Sequence, residues 1–571
     1  MQHKKRRWMR TAISMVFAAA LMLIYFAFQH VTFRANDDLM MVRTLEGYAG
    51  QPVTFNMYLH PALTWLVSSL AAAFPQGHWF TWLMMACQYA AFASLTCTLA
   101  EAAGRSRLHE GWGYAVSGVL FALFTREMMY TYTIVAAWLV CAACARAALA
   151  IGTEKRDYIR LMTEAAAIAL IAVLLRGQVL LPLLCSCGLC GLAQMVFAPG
   201  KDRKEKRRAC LRVLAMGLAA VLCLGGILIT DRLVKRLPEN REYVAVNDER
   251  TEINDYHAYM ATLTDAQLAS LGWTRPEADM LTEFCTLDFR FTPEKLHQAV
   301  AYARENQPWP VITRLKRGLR LMLSDLPRDP VFPVVLLLAG LTMALMFRTG
   351  MKKRLTALTI PFFSFVQVYY LYFCFRYPTR ALMLAICPAA AVMAVFLLLQ
   401  LGAWRSSRSS KPHGAPALIA CAASLALVMA VTCGFRAPVI SLADDFTPGQ
   451  RQIACDEYAR NHPDLFYFAD TVLDDSLYQD TASPRVQNLD YLMGWQTVNP
   501  DYYAHLARYG IARAETDFTV FLRPNVRLMT TYPNIYQTLI RAIEALTGQP
   551  VKITVEDTVA GVDIVRLSVA E

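Results

Sequence analysis

Three features of this 571-residue chain predict a mainly α, polytopic helical membrane protein that carries a soluble α/β domain at its C-terminal end. Apolar residues make up 56% of the chain and charged residues only 18%, more apolar surface than a water-soluble protein of this length keeps inside. Apolar runs, about eleven in all, recur along residues 1–435, most near the roughly 20 residues that ~30 Å of hydrocarbon demands. The net charge of +11 is not spread over one face but gathered as Arg and Lys in short connectors. That pattern excludes a nucleic-acid surface and fits cytoplasmic loops.

The first run, "TAISMVFAAALMLIYFAFQ", follows the basic "MQHKKRRWMR". Its length exceeds a signal-peptide core and no small-x-small cleavage site follows, so it reads as a retained span with a cytoplasmic N-terminus. Further runs lie near 79–100, 113–125, 129–150, 161–175, 178–198, 209–230, 329–347, 355–375, 381–402 and 415–435. With eleven crossings, the basic connectors "GRSRLHE", "GTEKRDYIR", "KDRKEKRR", "FRTGMKKR" and "RSSRSSKPH" all fall on the N-terminal side. Counting "HPALTWLVSSLAAAF" as a twelfth would put the later ones outside. That short run from His60 to Phe74 therefore reads as an amphipathic helix on the outer leaflet, within a first outer loop spanning 30–78.

Arginines stand at three outer helix ends, where charge bias disfavours them: Arg126 in "FTREMMYTY", Arg176 in "LLRGQ", and Arg376 and Arg380 in "CFRYPTRALML". Each alone reads as a snorkelling side chain. Together they suit a cavity for a phosphate, since Arg presents a planar fork of donors. The first outer loop opens with "NDD", two adjacent carboxylates, Asp37 and Asp38, just past the membrane exit.

A second outer loop, 231–328, is polar and helix-like, with "TDAQ" as a helix start and "ITRLKRGLRLMLSDL" as an interfacial helix or a gate. Its Glu249, Asp255, His257 and Asp265 are metal ligands by type, but their spacing matches no metal site. Residues 436–571 hold eleven Arg/Lys against eighteen Asp/Glu and no long apolar run, which marks a soluble α/β domain outside the cell. "DLFYFADTVL", "DFTVFLRP", "VKITVE" and "VDIVRLSV" read as strands, and "NPDYYAHLARYG" and "NIYQTLIRAIEALTG" as helices closed by Gly510 and Gly548. Most cysteines lie in apolar runs, where they pack as small hydrophobes, "CSCGLC" included. Cys285 and Cys455 are the pair placed to form a disulfide. No P-loop, dinucleotide fingerprint, HExxH or partnered GxSxG occurs.

This layout resembles the C-type glycosyltransferase (GT-C) superfamily: an acid pair after the first span, amphipathic structure in the first outer loop, a large outer loop between the seventh and eighth spans, and an outer C-terminal domain. More narrowly it is similar to bacterial multi-pass proteins carrying "NDD" after span one, here Asn36-Asp37-Asp38, a mid-chain hairpin arginine, here Arg176, and an "RY.P" turn, here Arg376-Tyr377-Pro378. The resemblance implies a GT-C-like cell-membrane enzyme that moves a sugar from a polyprenyl-phosphate-linked donor to a glycan or other cell-envelope acceptor. It further implies that an acid of the first loop is the base, that arginines hold the lipid phosphate, and that some members use a divalent cation such as Mg²⁺ or Mn²⁺, for which Asp37 and Asp38 are the ligands on offer.

The residue chemistry fits that expectation. Glycosyl transfer needs a carboxylate to take the acceptor proton and positive charge to stabilise the departing phosphate. Adjacent acids repel, so one serves chemistry while the other orients it or caps a helix. Asp38 directly precedes "LMMVRTLEGY" and is the better N-cap, which leaves Asp37 as the favoured base. Asn36, Arg43, His60 and Tyr377 are candidate substrate contacts, with His60, beside Pro61, read as an interfacial histidine in preference to an acceptor-side base. Two other functions suit the layout, a lipid-linked glycan transporter or flippase and a non-catalytic envelope scaffold.

Overall fold

The computed structural model describes residues 2–28, 36–48, 50–124, 131–197, 203–255, 260–283, 285–306, 310–346, 350–406, 414–434, 450–469, 486–492, 494–531 and 533–570. The chain enters through α1 (Gln2–Phe28), and the first loop then forms α2 (Asn36–Leu45) and α3 (Pro61–Ala73). The bundle continues through α4 (Trp79–Arg105), α5 (Gly111–Phe124), α6 (Tyr132–Ala150), α7 (Lys155–Leu175), α8 (Leu180–Val196) and α9 (Arg203–Lys235). A helical segment follows, made of α10 (Pro238–Asn254), α11 (Asp265–Ser270), α12 (Arg275–Thr282), α13 (Pro293–Glu305) and α14 (Val311–Asp325). The bundle then resumes as α15 (Phe332–Met346), α16 (Met351–Phe373), α17 (Thr379–Ser406) and α18 (Gly414–Gly434).

All eleven apolar runs are thus helical. Among the described residues eight helices, α1, α4, α6, α7, α8, α9, α16 and α17, are long and apolar enough to cross a membrane. A ninth arises if α14 and α15, which meet at 98°, count as one broken span. The helix of 14 residues at α5 and the apolar stretch Leu418–Ala430 of α18 are shorter. The chain is a polytopic, mainly helical membrane protein.

Burial follows composition. All 19 residues of α6 are buried, because its alanine-rich "AAWLVCAACARAALA" lets α4, α7, α8 and α17 close around it. By contrast α9 buries only Ala209 and Val213 and exposes Leu211, Leu214, Leu218, Leu222 and Ile229, a lipid-facing surface rather than a misplaced core. Between α4 and α5 the backbone of Leu99 and Ala100 lies where a Cβ on Gly113 would sit. Only glycine permits that approach.

The run from His60 forms a 13-residue helix, α3, too short to span. It turns Leu63, Val67 and Ala71 inward and leaves Trp65 and Leu66 exposed. Likewise α14 exposes Val311, Ile312, Leu319 and Leu323, while a Cβ on Gly318 would stand only 3.1–3.2 Å from the backbone of Tyr372 and Phe373. The "TDAQ" signal holds: Thr264 and Gln267 form a capping box at the start of α11.

At the end of the bundle that bears the N-terminus, a buried ion-pair network joins four helices. Glu101 of α4, with its side chain 6% exposed, meets Arg105 at 2.7 Å, Arg160 of α7 at 2.6 Å, Arg10 of α1 at 3.5 Å and Arg146 of α6 at 3.9 Å. Around it Glu164 pairs with Arg146 at 2.8 Å and Arg7 at 2.7 Å, and Glu110 with Arg10 at 2.8 Å. The sequence places Arg105 and Arg160 in basic connectors and Arg7 and Arg10 in the basic N-terminal segment, and does not single out Arg146, which lies inside an apolar run.

Beyond α19 (Gln450–Asn461), the C-terminal part holds β1 (Phe466–Ala469), β2 (Leu489–Tyr491), α20 (Pro500–Ala507), β3 (Val526–Thr530), α21 (Pro533–Thr547), β4 (Val551–Val559) and β5 (Val562–Val569). They make one mixed sheet of order β2-β1-β3-β5-β4, with β1 parallel to β2 and β3, and β5 antiparallel to β3 and β4. Gly510 and Gly548 follow α20 and α21 at positive φ, 70° and 67°, as the helix-stop reading requires.

The expected strand "DFTVFLRP" is instead a 3₁₀ turn, Phe518–Leu522. Asp517 accepts the Thr519 amide at 2.9 Å and winds the segment, which still buries Phe518, Val520 and Phe521. The strand comes just after, at "VRLMT", where every residue is buried.

The 231–328 segment packs directly on this sheet. Asn247 Nδ2 donates to the Trp495 carbonyl at 3.1 Å, Cys285 Sγ to that of Leu492 at 3.8 Å, and Arg513 pairs with Glu242. Cys285 and Cys455 are both buried, and Cys285 carries no disulfide, so the expected bridge between them is absent.

Candidate functional site

The acid pair lies in the first turn of α2, which begins at Asn36; the Asn36 side chain lies outside what is described. Asp38 is fully buried, and its Oδ1 accepts the Tyr132 amide N–H at 2.7 Å. Tyr132 opens α6, where Thr131 Oγ1 accepts the Ile134 amide at 3.0 Å. Asp38 therefore caps α6 from a distance and does not cap the helix that follows it, as sequence order had suggested.

Burial pushes the Asp38 carboxyl well above its usual range, and the Asp37 charge adds to this against the Tyr132 amide, Arg380 and Arg176. Its Oδ2 has no hydrogen-bond partner among the described residues. A raised folded-state pKa has a definite sign. Below the ordinary value of 3.8 both folded and unfolded chains hold the proton, and above it the unfolded chain releases it first. Stability therefore falls as pH rises from that value towards the folded pKa. Asp38→Asn keeps an acceptor for the Tyr132 amide and should flatten this slope when unfolding in nanodiscs is followed from pH 4 to 8. An unchanged slope would rule the effect out.

Asp37 is part-exposed, 31% at its side chain, and its Oδ2 stands 3.8 Å from Arg380 Nη2 in the first turn of α17. Arg176, at the C-terminal end of α7, donates through Nη1 to Thr133 Oγ1 at 2.6 Å and through Nη2 to Gln178 Oε1 at 2.7 Å. Its guanidinium lies 4.9 Å from the Tyr132 ring centroid. Beside it opens a cavity of about 190 Å³ bordered by Tyr58, His60, Tyr132, Gln178, Asp231 and Lys235. The Tyr58 phenol is pushed up by burial and feels Arg250, Asp37 and Asp255, and Arg250 Nη2 donates to it at 3.4 Å. Arg376 Nη1 pairs with Asp255 at 2.7 Å, and Tyr377 stacks on Tyr372 with centroids 4.2 Å apart.

Chain segments far apart in sequence thus bring Asp37, Arg176 and Arg380 within electrostatic reach of Asp38, with Arg376 tied to Asp255. Arg126 lies outside the described residues. His60 caps α3, with Nδ1 accepting the Ala62 amide at 3.1 Å, and its Nε2 stands 3.2 Å from the Ile227 carbonyl. Arg43 departs from expectation. Buried at 1% exposure, it pairs with Asp456 at 3.7 Å and lies 5.2 Å from the Tyr491 ring, so it joins α2 to the C-terminal sheet instead of facing the acids.

Tyr58, Tyr132, Gln178, Asp231 and Lys235 escaped the sequence reading, since each is an ordinary residue at the edge of an apolar run and becomes a neighbour of the acids only through folding.

Asp38 Oδ1 is engaged by an amide, Asp37 faces a guanidinium, and no group of three or more His, Cys, Asp or Glu suited to a metal occurs among the described residues. The four residues that were ligands by type are dispersed: Glu249 meets His297 at 2.8 Å, Asp265 meets Arg275 at 2.7 Å, Asp255 meets Arg376, and His257 lies outside the described residues.

No protein-family model matches the chain, and no curated protein is significantly similar to it. Function is therefore argued from this geometry.

Proposed function

We propose that the chain is a GT-C-type glycosyltransferase of the cell membrane, with eleven crossings, a cytoplasmic N-terminus and an extracytoplasmic C-terminal domain. It moves a sugar from a polyprenyl-phosphate donor to a cell-envelope acceptor. The observation that carries this reading is an accessible carboxylate, Asp37, paired with Arg380, the two acting on Asp38 together with Arg176, which borders a cavity.

In the reaction, Asp37 takes the proton of an acceptor hydroxyl while that oxygen attacks the anomeric carbon. The bond from that carbon to the phosphate oxygen breaks, and its electron pair leaves with the polyprenyl phosphate. Arg176 and Arg380 meet the charge that develops there. Asp38, buried and held by the Tyr132 amide, positions α2 against α6 and touches no substrate.

Arg176→Gln removes a charge-assisted contact to phosphate, worth about 1.5–3 kcal/mol. Its expected result is a KM for polyprenyl-phosphate sugar raised about tenfold or more, in membranes assayed with a labelled donor. A KM equal to that of the unaltered chain would remove Arg176 from the donor site.

A further inference from the structure

A second cavity, of about 200 Å³, lies where the 30–78 loop meets the C-terminal sheet. Arg43 and Gln51 border it from one side, and Asp490, Gln496, Asn499 and Arg508 from the other. Gln496 is 2% exposed, and both its Oε1 and its Nε2 are buried without a hydrogen-bond partner among the described residues. A buried amide left in that state is costly to the fold. Two of its neighbours are by contrast engaged. His505 Nδ1 meets Asp490 Oδ2 at 3.2 Å and its Nε2 meets the Gln487 carbonyl, while Asn499 Oδ1 accepts the Asp501 amide at 2.9 Å.

The charges of this cavity cancel. The lining carries Arg43 and Arg508 against Asp490 and Asp501, so its formal charges balance. What remains on offer is one amide that both donates and accepts, in a space larger than a few waters at ~30 Å³ each. Such a lining selects an uncharged ligand rich in hydroxyls, which also donate and accept.

We infer that this cavity binds a neutral glycan unit, and, resting on the transferase reading above, that this glycan is the acceptor. The distance agrees: Arg43 lies six residues from Asp37 on α2, about 9 Å along the helix at 1.5 Å per residue. A short oligosaccharide bridges that gap. Tyr58, which borders the first cavity, lies 5.5 Å from Trp495, the chain neighbour of Gln496, and 6.4 Å from Tyr132, centroid to centroid.

The test is glycan binding, measured apart from transfer. The full chain in lipid nanodiscs, free of glycoside detergents, is probed against an array of neutral and acidic oligosaccharides. Expected are binding of a neutral glycan and a loss of at least tenfold in affinity for Gln496→Leu. Gln496→Leu should also unfold at or above the temperature of the unaltered chain, because it removes an unsatisfied amide. Binding of acidic glycans alone, no binding, or equal affinity in Gln496→Leu overturns the site. Gln496-dependent binding without any sugar transfer would leave the site standing and remove the transferase reading. Transfer without Gln496-dependent binding would do the reverse.

Discussion

Asp37→Asn should reduce sugar transfer by about 10²- to 10⁴-fold, the usual contribution of a positioned general base, while Asp38→Asn keeps most of it. The two residues are adjacent and carry the same side chain, yet their surroundings separate them. Asp37 is part-exposed and 3.8 Å from Arg380, whereas Asp38 is fully buried with one oxygen on the Tyr132 amide. An asparagine at 38 offers that amide the same acceptor. An asparagine at 37 holds its geometry but takes no proton. The measurement is transfer of labelled sugar from polyprenyl phosphate in membranes, with protein levels matched. Full transfer by both variants would leave the acid pair a structural feature and favour the scaffold or transporter functions, and the opposite ranking would assign the base to Asp38.

Glu101→Ala should cost about 3–5 kcal/mol of stability, the toll of removing one partner from a buried ion network. The substitution leaves Arg10, Arg105, Arg146 and Arg160 without the carboxylate that now sits among them at 2.6–3.9 Å. Those arginines come from α1, α4, α6 and α7, so their mutual repulsion acts on four helices at once. Glu164→Ala should cost less, because its side chain is 29% exposed and water screens the arginines it leaves. Unfolding by graded denaturant in bicelles separates the two variants. A Glu101→Ala midpoint equal to that of the parent would mean that water already fills the cluster.

How much of this was legible from the residues follows from the range of the physics involved. Runs of apolar residues declare helices because membrane crossing is a property of one segment. The capping box at Thr264 and the glycine stops at 510 and 548 are equally local and read correctly. "DFTVFLRP" misled because its alternation suits a strand and a tight turn alike, and one side-chain hydrogen bond from Asp517 decides between them. Arg43 and Glu101 were opaque for another reason: their partners lie hundreds of residues away or on separate helices, and charge type does not name a partner. For the acid pair, sequence identified the two residues, but their division of labour depends on Tyr132, 94 positions further on.

The ten residues of α2 carry one further implication. Arg43 is anchored under the sheet while Asp37 faces the bundle, so the helix works as a rigid lever with its fulcrum in the soluble part. Any tilt of the sheet, whether from a docked polymer or from a neighbouring protein, moves the carboxylate by a comparable arc. Seating of cargo on the outer part and readiness of the proton acceptor would then be one mechanical event, and a chain ending at residue 435 would lose its aim before it lost its membrane.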